Sequence, residues 1–225
     1  MTKPKKNIAT NMKQIKVLAT LLLMAVSTTA FGQSLKEREN YHKVFVEYSP
    51  MSIKSNLNDD KYNFNGIGLG YNYNIAMKDM PLHFGVGLKL DYYFRRDTNN
   101  SDEKNPVKIS DNMMCAVPAI NVGVDIFIKK KIMLAPYVAI GMRVGLFGNE
   151  KLTPAVGEAT SLNLFKKADM DANNVWNRTL ASWEVGLNVA YESYFLGFSF
   201  NRDFEKISVN MKQVQAFGIK AGYIF

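Results

Sequence analysis

From Ile67 onward the odd positions Ile67, Leu69, Tyr71, Tyr73 and Ile75 are apolar or aromatic, while the even positions Gly66, Gly68, Gly70, Asn72 and Asn74 are small or polar. A period of two marks a strand with one apolar face. The pattern breaks over 76–81 and resumes in the opposite parity. Leu82, Phe84, Val86, Leu88, Leu90, Tyr92 and Phe94 now share one face, opposed by His83, Gly85, Gly87, Lys89, Asp91, Tyr93 and Arg95. Two such runs joined by a short turn predict a β-hairpin.

The same period recurs along the chain. A strand is expected over 42–49, with Val44, Val46 and Tyr48 opposite Lys43, Phe45 and Glu47; Phe45 interrupts its polar face. Further strands are expected over 114–128, 134–146, 182–191, 194–201 and 217–225. Pro118 cannot donate to a ladder, so pairing should weaken there. Polar composition assigns 50–63, 96–112 and 202–212 to loops and 148–178 to the longest irregular stretch, with room for a helical turn. Lys129, Lys130 and Lys131 form a tight solvated turn, and Glu192 with Ser193 a two-residue hairpin turn.

Two regularities give the facing. Of the 15 glycines, only Gly32, Gly148 and Gly157 lie outside these strands, and all the others fall on the small, polar face. A soluble sandwich or lipocalin-like barrel would put its apolar face inward, and glycine covers a water-facing strand poorly. A narrow interior, in contrast, needs glycine for space. The connections run to about 14, 6, 17, 3, 31, 2 and 11 residues, alternating long and short. That alternation, with aromatic residues gathered toward the strand ends, predicts an all-β fold: an eight-stranded antiparallel up-and-down transmembrane β-barrel.

Composition adds the compartment. Lys13 and Lys16 precede an apolar run over 17–26 and a small-x-small site, Ala30-Phe31-Gly32, so 1–32 reads as a secretory signal peptide and 33–225 as the barrel domain. Met12 opens a more usual signal and is a possible true start. The formal charge of +8 falls to about +3 without Lys3, Lys5, Lys6, Lys13 and Lys16, which removes the case for nucleic acid. Cys115 is the only cysteine, so a disulfide framework and a multi-cysteine metal site are excluded.

With these features, and with the terminal Ala221-Gly222-Tyr223-Ile224-Phe225, the chain from Tyr41 to Phe225 resembles the small outer-membrane barrels of the OmpA and OmpX type and the porin-family, PorT-like group. The resemblance implies the outer membrane of a Gram-negative bacterium, contact with outer-membrane lipid and lipopolysaccharide, and an extracellular partner met through the loops. It also implies an insertion signal, Tyr223 and Phe225, read by the barrel-assembly machinery. It implies no cofactor.

An eight-stranded barrel has an interior that side chains can fill. The inward positions expected to do so are Lys43, Lys89, Arg95, Arg143 and Lys220 with Glu47, Asp91, Asp125 and Glu184, and Arg143 is expected at the centre, its planar fork holding two carboxylates. Three function classes are open: a structural or surface-interaction barrel, a narrow pore or secretion-accessory barrel, and a lipid-modifying or proteolytic outer-membrane enzyme. An enzyme needs a base near the outer leaflet or in the outer loops. Both histidines, His42 and His83, instead open strands at the periplasmic end. The loop acids Asp59, Asp60, Asp102 and Glu103 are expected to be solvated. No catalytic, metal-binding or cofactor-binding residue is nominated.

Overall fold

The computed structural model describes residues 40–225 apart from 59, 79, 100–105 and 130. The signal peptide, Asp59, Asp102, Glu103 and Lys130 lie outside the described residues.

Alternating side chains build eleven strands: β1 (Tyr41–Tyr48), β2 (Met51–Lys54), β3 (Lys61–Ala76), β4 (Leu82–Asn99), β5 (Val107–Val124), β6 (Ile126–Lys129), β7 (Ile132–Pro154), β8 (Thr160–Asn163), β9 (Thr179–Tyr191), β10 (Tyr194–Asp203) and β11 (Gln215–Ile224). Neighbours pair antiparallel in the order β1, β11, β10, β9, β7, β5, β4, β3, and the pairing of β1 with β3 closes the ring. β2 continues the wall of β1 beyond Pro50 and pairs with both β11 and β3. The wall therefore has eight strands and no free edge through its closed part, so its strands pair with one another and not with water.

The strands are longer than the apolar pattern suggests. Residues 51–54 and 61–63, expected in a loop, are strand; β4 and β5 remain paired out to Asn99↔Val107; β7 runs to Pro154 and turns back through β8. No helix occurs among the described residues between β8 and β9, only turns. The β5–β7 ladder passes from Ala116↔Val144 to Ala119↔Gly141 without pairing Val117 or Pro118, and it shifts register between Met114 and Cys115. The first lapse is where proline removes a donor; the second lets β7 continue above the barrel in a new parity.

Phe45 is an interior residue. A methyl group at Gly70 would enter the Phe45 ring, and one at Gly186 would enter the Tyr137 ring, so glycine on one strand makes space for a ring on another. At the Glu192-Ser193 turn, Glu192 takes φ 53°, the left-handed conformation that a two-residue hairpin turn requires.

Candidate functional site

The lumen is filled in layers, each supplied by inward positions of several strands. Nearest the short turns, Met133, Ala135, Ala190 and Phe195 form an apolar floor with Phe45 and Ile224. Beside it His83 Nδ1 lies 3.0 Å from Asp125 Oδ1, to which the Tyr41 hydroxyl donates at 3.2 Å. Lys43 lies over the rings of Tyr41 and Phe195.

The middle layer holds the densest charge. Lys89 Nζ is 3.0 Å from Glu47 Oε2 and 3.3 Å from Asp91 Oδ2. Lys220 Nζ is 2.5 Å from Glu184 Oε1 and 3.8 Å from Glu47 Oε2, so Glu47 stands between the two lysines. Two tyrosines complete the shell: Tyr93 donates to Asp91 at 3.1 Å, and Tyr137 donates to Glu184 at 2.5 Å while accepting from Lys220 at 2.8 Å. Buried charges persist only when paired and hydrogen-bonded in this way. A cavity of about 90 Å³ remains in the lumen, lined in part by Lys43, Asn72, Asn121 and Ser182.

Above the lysines, Arg143 meets one carboxylate and not two. Its Nη2 lies 3.5 Å from Asp203 Oδ1 and donates to Asn201 at 3.2 Å; Nη1 points at Met51 Sδ, and the guanidinium lies over the Tyr93 ring. The reason is its height. Its cross-strand neighbour is the apolar Leu180, and it sits at the lower edge of the next layer.

That layer is apolar. Met51, Ile53, Phe64, Tyr93, Met113, Cys115, Leu180 and Ala216 from the walls pack with Leu164, Trp176, Ile207 and Val214 from the connections. The connections are tied down by backbone bonds, Trp176 N to Leu164 O at 2.8 Å, Asn177 N to Ile207 O at 2.6 Å and Lys212 N to Lys54 O at 2.8 Å. Arg95 covers this layer, lying over the Tyr62 and Phe64 rings with Nε 3.0 Å from Asp111 Oδ2. Burial pushes the Asp111 carboxyl up to about 6; Arg95 opposes the rise and the cross-strand Glu150 adds to it.

The expected charge residues thus fall in three groups: Lys43 and Asp125 at the short-turn end, Glu47, Lys89, Asp91, Glu184 and Lys220 in the centre, Arg143 and Arg95 toward the long loops. Sequence reasoning missed Asp203, Asp111 and the two tyrosines as members. All four keep the inward parity of their strands, which is the signal that finds them. Tyr223 and Phe225 lie outside: Phe225 stacks on His42 and Tyr223, and its backbone bonds to His42 close the β1–β11 seam. Among the described residues no three His, Cys, Asp or Glu side chains gather as a metal site would need.

The outer surface is the converse of the lumen. Leu69, Ile120 and Ile140 are 61, 63 and 60% exposed, and they belong to an apolar band that runs around all eight walls. A band of that extent has hydrocarbon as its solvent. The chain is a transmembrane barrel of outer-membrane type.

No family model matches the chain, and no curated protein matches it. Among solved structures 67 chains match. Ail, the attachment invasion locus protein of Yersinia pestis, is 16% identical over 84% of this chain and 100% of its own, with a TM-score of 0.49. Neisserial surface protein A is 14% identical over 81% and 95%, with a TM-score of 0.40. The N-terminal β-barrel domain of Pseudomonas aeruginosa OprF is 14% identical over 83% and 100%, with a TM-score of 0.37. The assignment to a transmembrane barrel stands on this chain's own band, lumen and closure.

Proposed function

We propose that this chain is a non-enzymatic outer-membrane barrel with a plugged lumen, which presents its long-loop end to partners outside the cell. The observation that carries the reading is the stack of layers across the bore, paired charges in the middle with an apolar layer at each end. An ion crossing it would have to separate Lys220 from Glu184 and then part a packed hydrophobic layer. An enzymatic role finds little support: His83 is buried against Asp125 at the short-turn end, and Cys115 is buried in the apolar layer. The C-terminal strand, with Tyr223 and Phe225 on its outer edge, is the segment that would be offered to the barrel-assembly machinery.

The test is conductance. Refolded protein in planar bilayers should give little or no steady current. Large, stable open channels would contradict the plugged interior and favour the pore reading.

A further inference from the structure

The connections β2–β3, β8–β9 and β10–β11 meet above the apolar layer and leave a cavity of about 290 Å³ at the long-loop end. Its floor is the top of that layer, with Ile53, Phe64, Leu164 and Trp176. The Phe64 and Trp176 rings meet edge to face there, their centroids 6.0 Å apart. Met170 and Met211 add thioethers, which adapt to an apolar body. The connections are bonded to one another: Asn56 N donates to Asn210 O at 2.7 Å, and Asn210 Nδ2 donates to Asn174 Oδ1 at 2.9 Å. The cavity is therefore preformed, and its size and lining are those of a small-molecule site.

One wall carries charge. The charged residues that line the cavity, among the described residues, are Arg95 of β4, Asp111 of β5 and Glu150 of β7, one cation against two carboxylates. Asp111 and Glu150 stand directly opposite each other across the ladder. Arg95 is already committed, with Nε 3.0 Å from Asp111 Oδ2 and its guanidinium over the Tyr62 and Phe64 rings. Asp111 is only 5% exposed, yet its other oxygen, Oδ1, has no hydrogen-bond donor among the described residues. A buried acceptor is costly in that state unless a ligand or a proton supplies the donor. The wall thus lacks one positive charge and one donor, and an ammonium group brings both.

Other ligands fit less well. An anion would meet two carboxylates and a cation already in use. A bare metal ion would find two carboxylates above an apolar floor, with no third His, Cys, Asp or Glu gathered there among the described residues. Aromatic rings, in contrast, suit an organic cation with an apolar body. We propose that this cavity binds a small organic amine, its ammonium seated between Asp111 and Glu150 and its apolar or aromatic body on the floor of Phe64, Leu164 and Trp176. The inference deepens the reading above, in which this end of the barrel meets partners outside the cell, and rests on it.

Proton and amine compete for the same wall. Burial pushes the Asp111 carboxyl up to about 6; Arg95 opposes the rise, and Glu150 and Asp97 add to it. Below that value the carboxyl must give up its proton to take the amine. Affinity should therefore rise with pH, by up to about tenfold per unit below about pH 6, and level off above.

The probe is phenethylamine, titrated into the full chain in phosphatidylcholine nanodiscs while the amide resonances are followed, with phenylpropionate and phenylethanol as its anionic and neutral counterparts. At about pH 7.5 the amine should give saturable shifts at Asp111, Glu150 and Trp176, and either counterpart should bind at least about tenfold more weakly. Asp111→Asn with Glu150→Gln should weaken the amine at least about tenfold and remove the pH dependence. Glu150→Gln alone should weaken it part-way, Lys151→Gln on the outward side of β7 should change nothing, and the wild-type pH profile tests the wall without any substitution. Equal binding of phenylethanol, amine shifts confined to the outward apolar positions, or an affinity unchanged between about pH 5 and 7.5 would overturn the site. Displacement of the amine by millimolar calcium would overturn it in favour of a metal ion. Nanodiscs expose both ends of the barrel, so a failed titration counts against the cavity alone. The outward facing of this end is tested separately, by reaction of Leu57→Cys with an impermeant maleimide on intact cells, and absence of labelling would contradict that reading and not the cavity.

Discussion

In β3, Ile67, Leu69 and Tyr71 point out of the barrel and Gly66, Gly68 and Gly70 point in; a few residues earlier on the same strand, Lys61, Asn63 and Asn65 point out while Tyr62 and Phe64 point in. β5 repeats the exchange. Its outward positions pass from Ser110 and Asn112 to Ala116 and Ile120, as its inward ones pass from Ile109 and Met113 to Asn121. The outer segment follows the rule of a water-soluble sheet and the inner segment its inverse. The backbone is the same; what changes is the solvent outside the wall. The two segments also fill the lumen differently, the inner one with ion pairs that hold only as a set, the outer one with hydrophobic side chains whose losses are local.

The largest effect should come from breaking the inner set. Lys220→Ala leaves Glu184 and Glu47 buried with one cation fewer, at a cost of about 3 to 5 kcal/mol. Reversible urea unfolding in lipid vesicles measures it. Lys220→Met combined with Glu184→Gln removes both charges and should cost far less. A double variant as unstable as the single would show that the pair is not the stabilising unit.

A cut in the outer layer should be smaller and confined. Ile53→Ala should cost about 2 to 4 kcal/mol in local stability. Amide exchange of β2 and of the connections carrying Trp176 and Ile207 should quicken, with the band segments of β3 to β5 still protected. Loss of protection in both would mean that the segments unfold as one.

The smallest effect is a pH dependence of the outer segment alone. Asp111 titrates near 6 in the folded chain, above an ordinary aspartate, so the folded form holds its proton through the interval in which the unfolded form has lost it. Its contribution is complete below the unfolded value and is lost as pH rises through about 6. Exchange protection near Asp111 should fall between about pH 4 and 6, and Asp111→Asn should flatten the profile. An unchanged profile in the variant would assign the dependence to another group.

The inversion also explains what could be read from the chain. The band segments were legible because apolar and small residues alternate there without a break, and the inward charges followed from parity. Residues 51–54, 61–63 and 107–112 look like loops because the apolar positions change faces, which dilutes the pattern where the strands continue. Phe45 looked anomalous only because its partner glycine, Gly70, is on another strand. Leu164, Trp176 and Ile207 carry no period at all: their burial depends on the path of two connections, which no local pattern encodes. Arg143 stands away from the centre because height in the lumen depends on strand stagger, which local parity does not carry, and its acid, Asp203, ends a strand inside a polar stretch that reads as a loop.

The exchange of faces is tested most directly by a nitroxide scan along β5, one label per position from 107 to 123, in a Cys115→Ser background in lipid vesicles. Collision with oxygen reports hydrocarbon, and collision with a water-soluble nickel chelate reports water. The outward positions 116, 118, 120 and 122 should favour oxygen, 108, 110 and 112 should favour the chelate, and the change should fall at 112–114. The inward positions should be shielded from both throughout. A single preference along the whole outward face, or free chelate access to the inward positions, would contradict a wall that changes solvent part-way along one strand and is plugged behind.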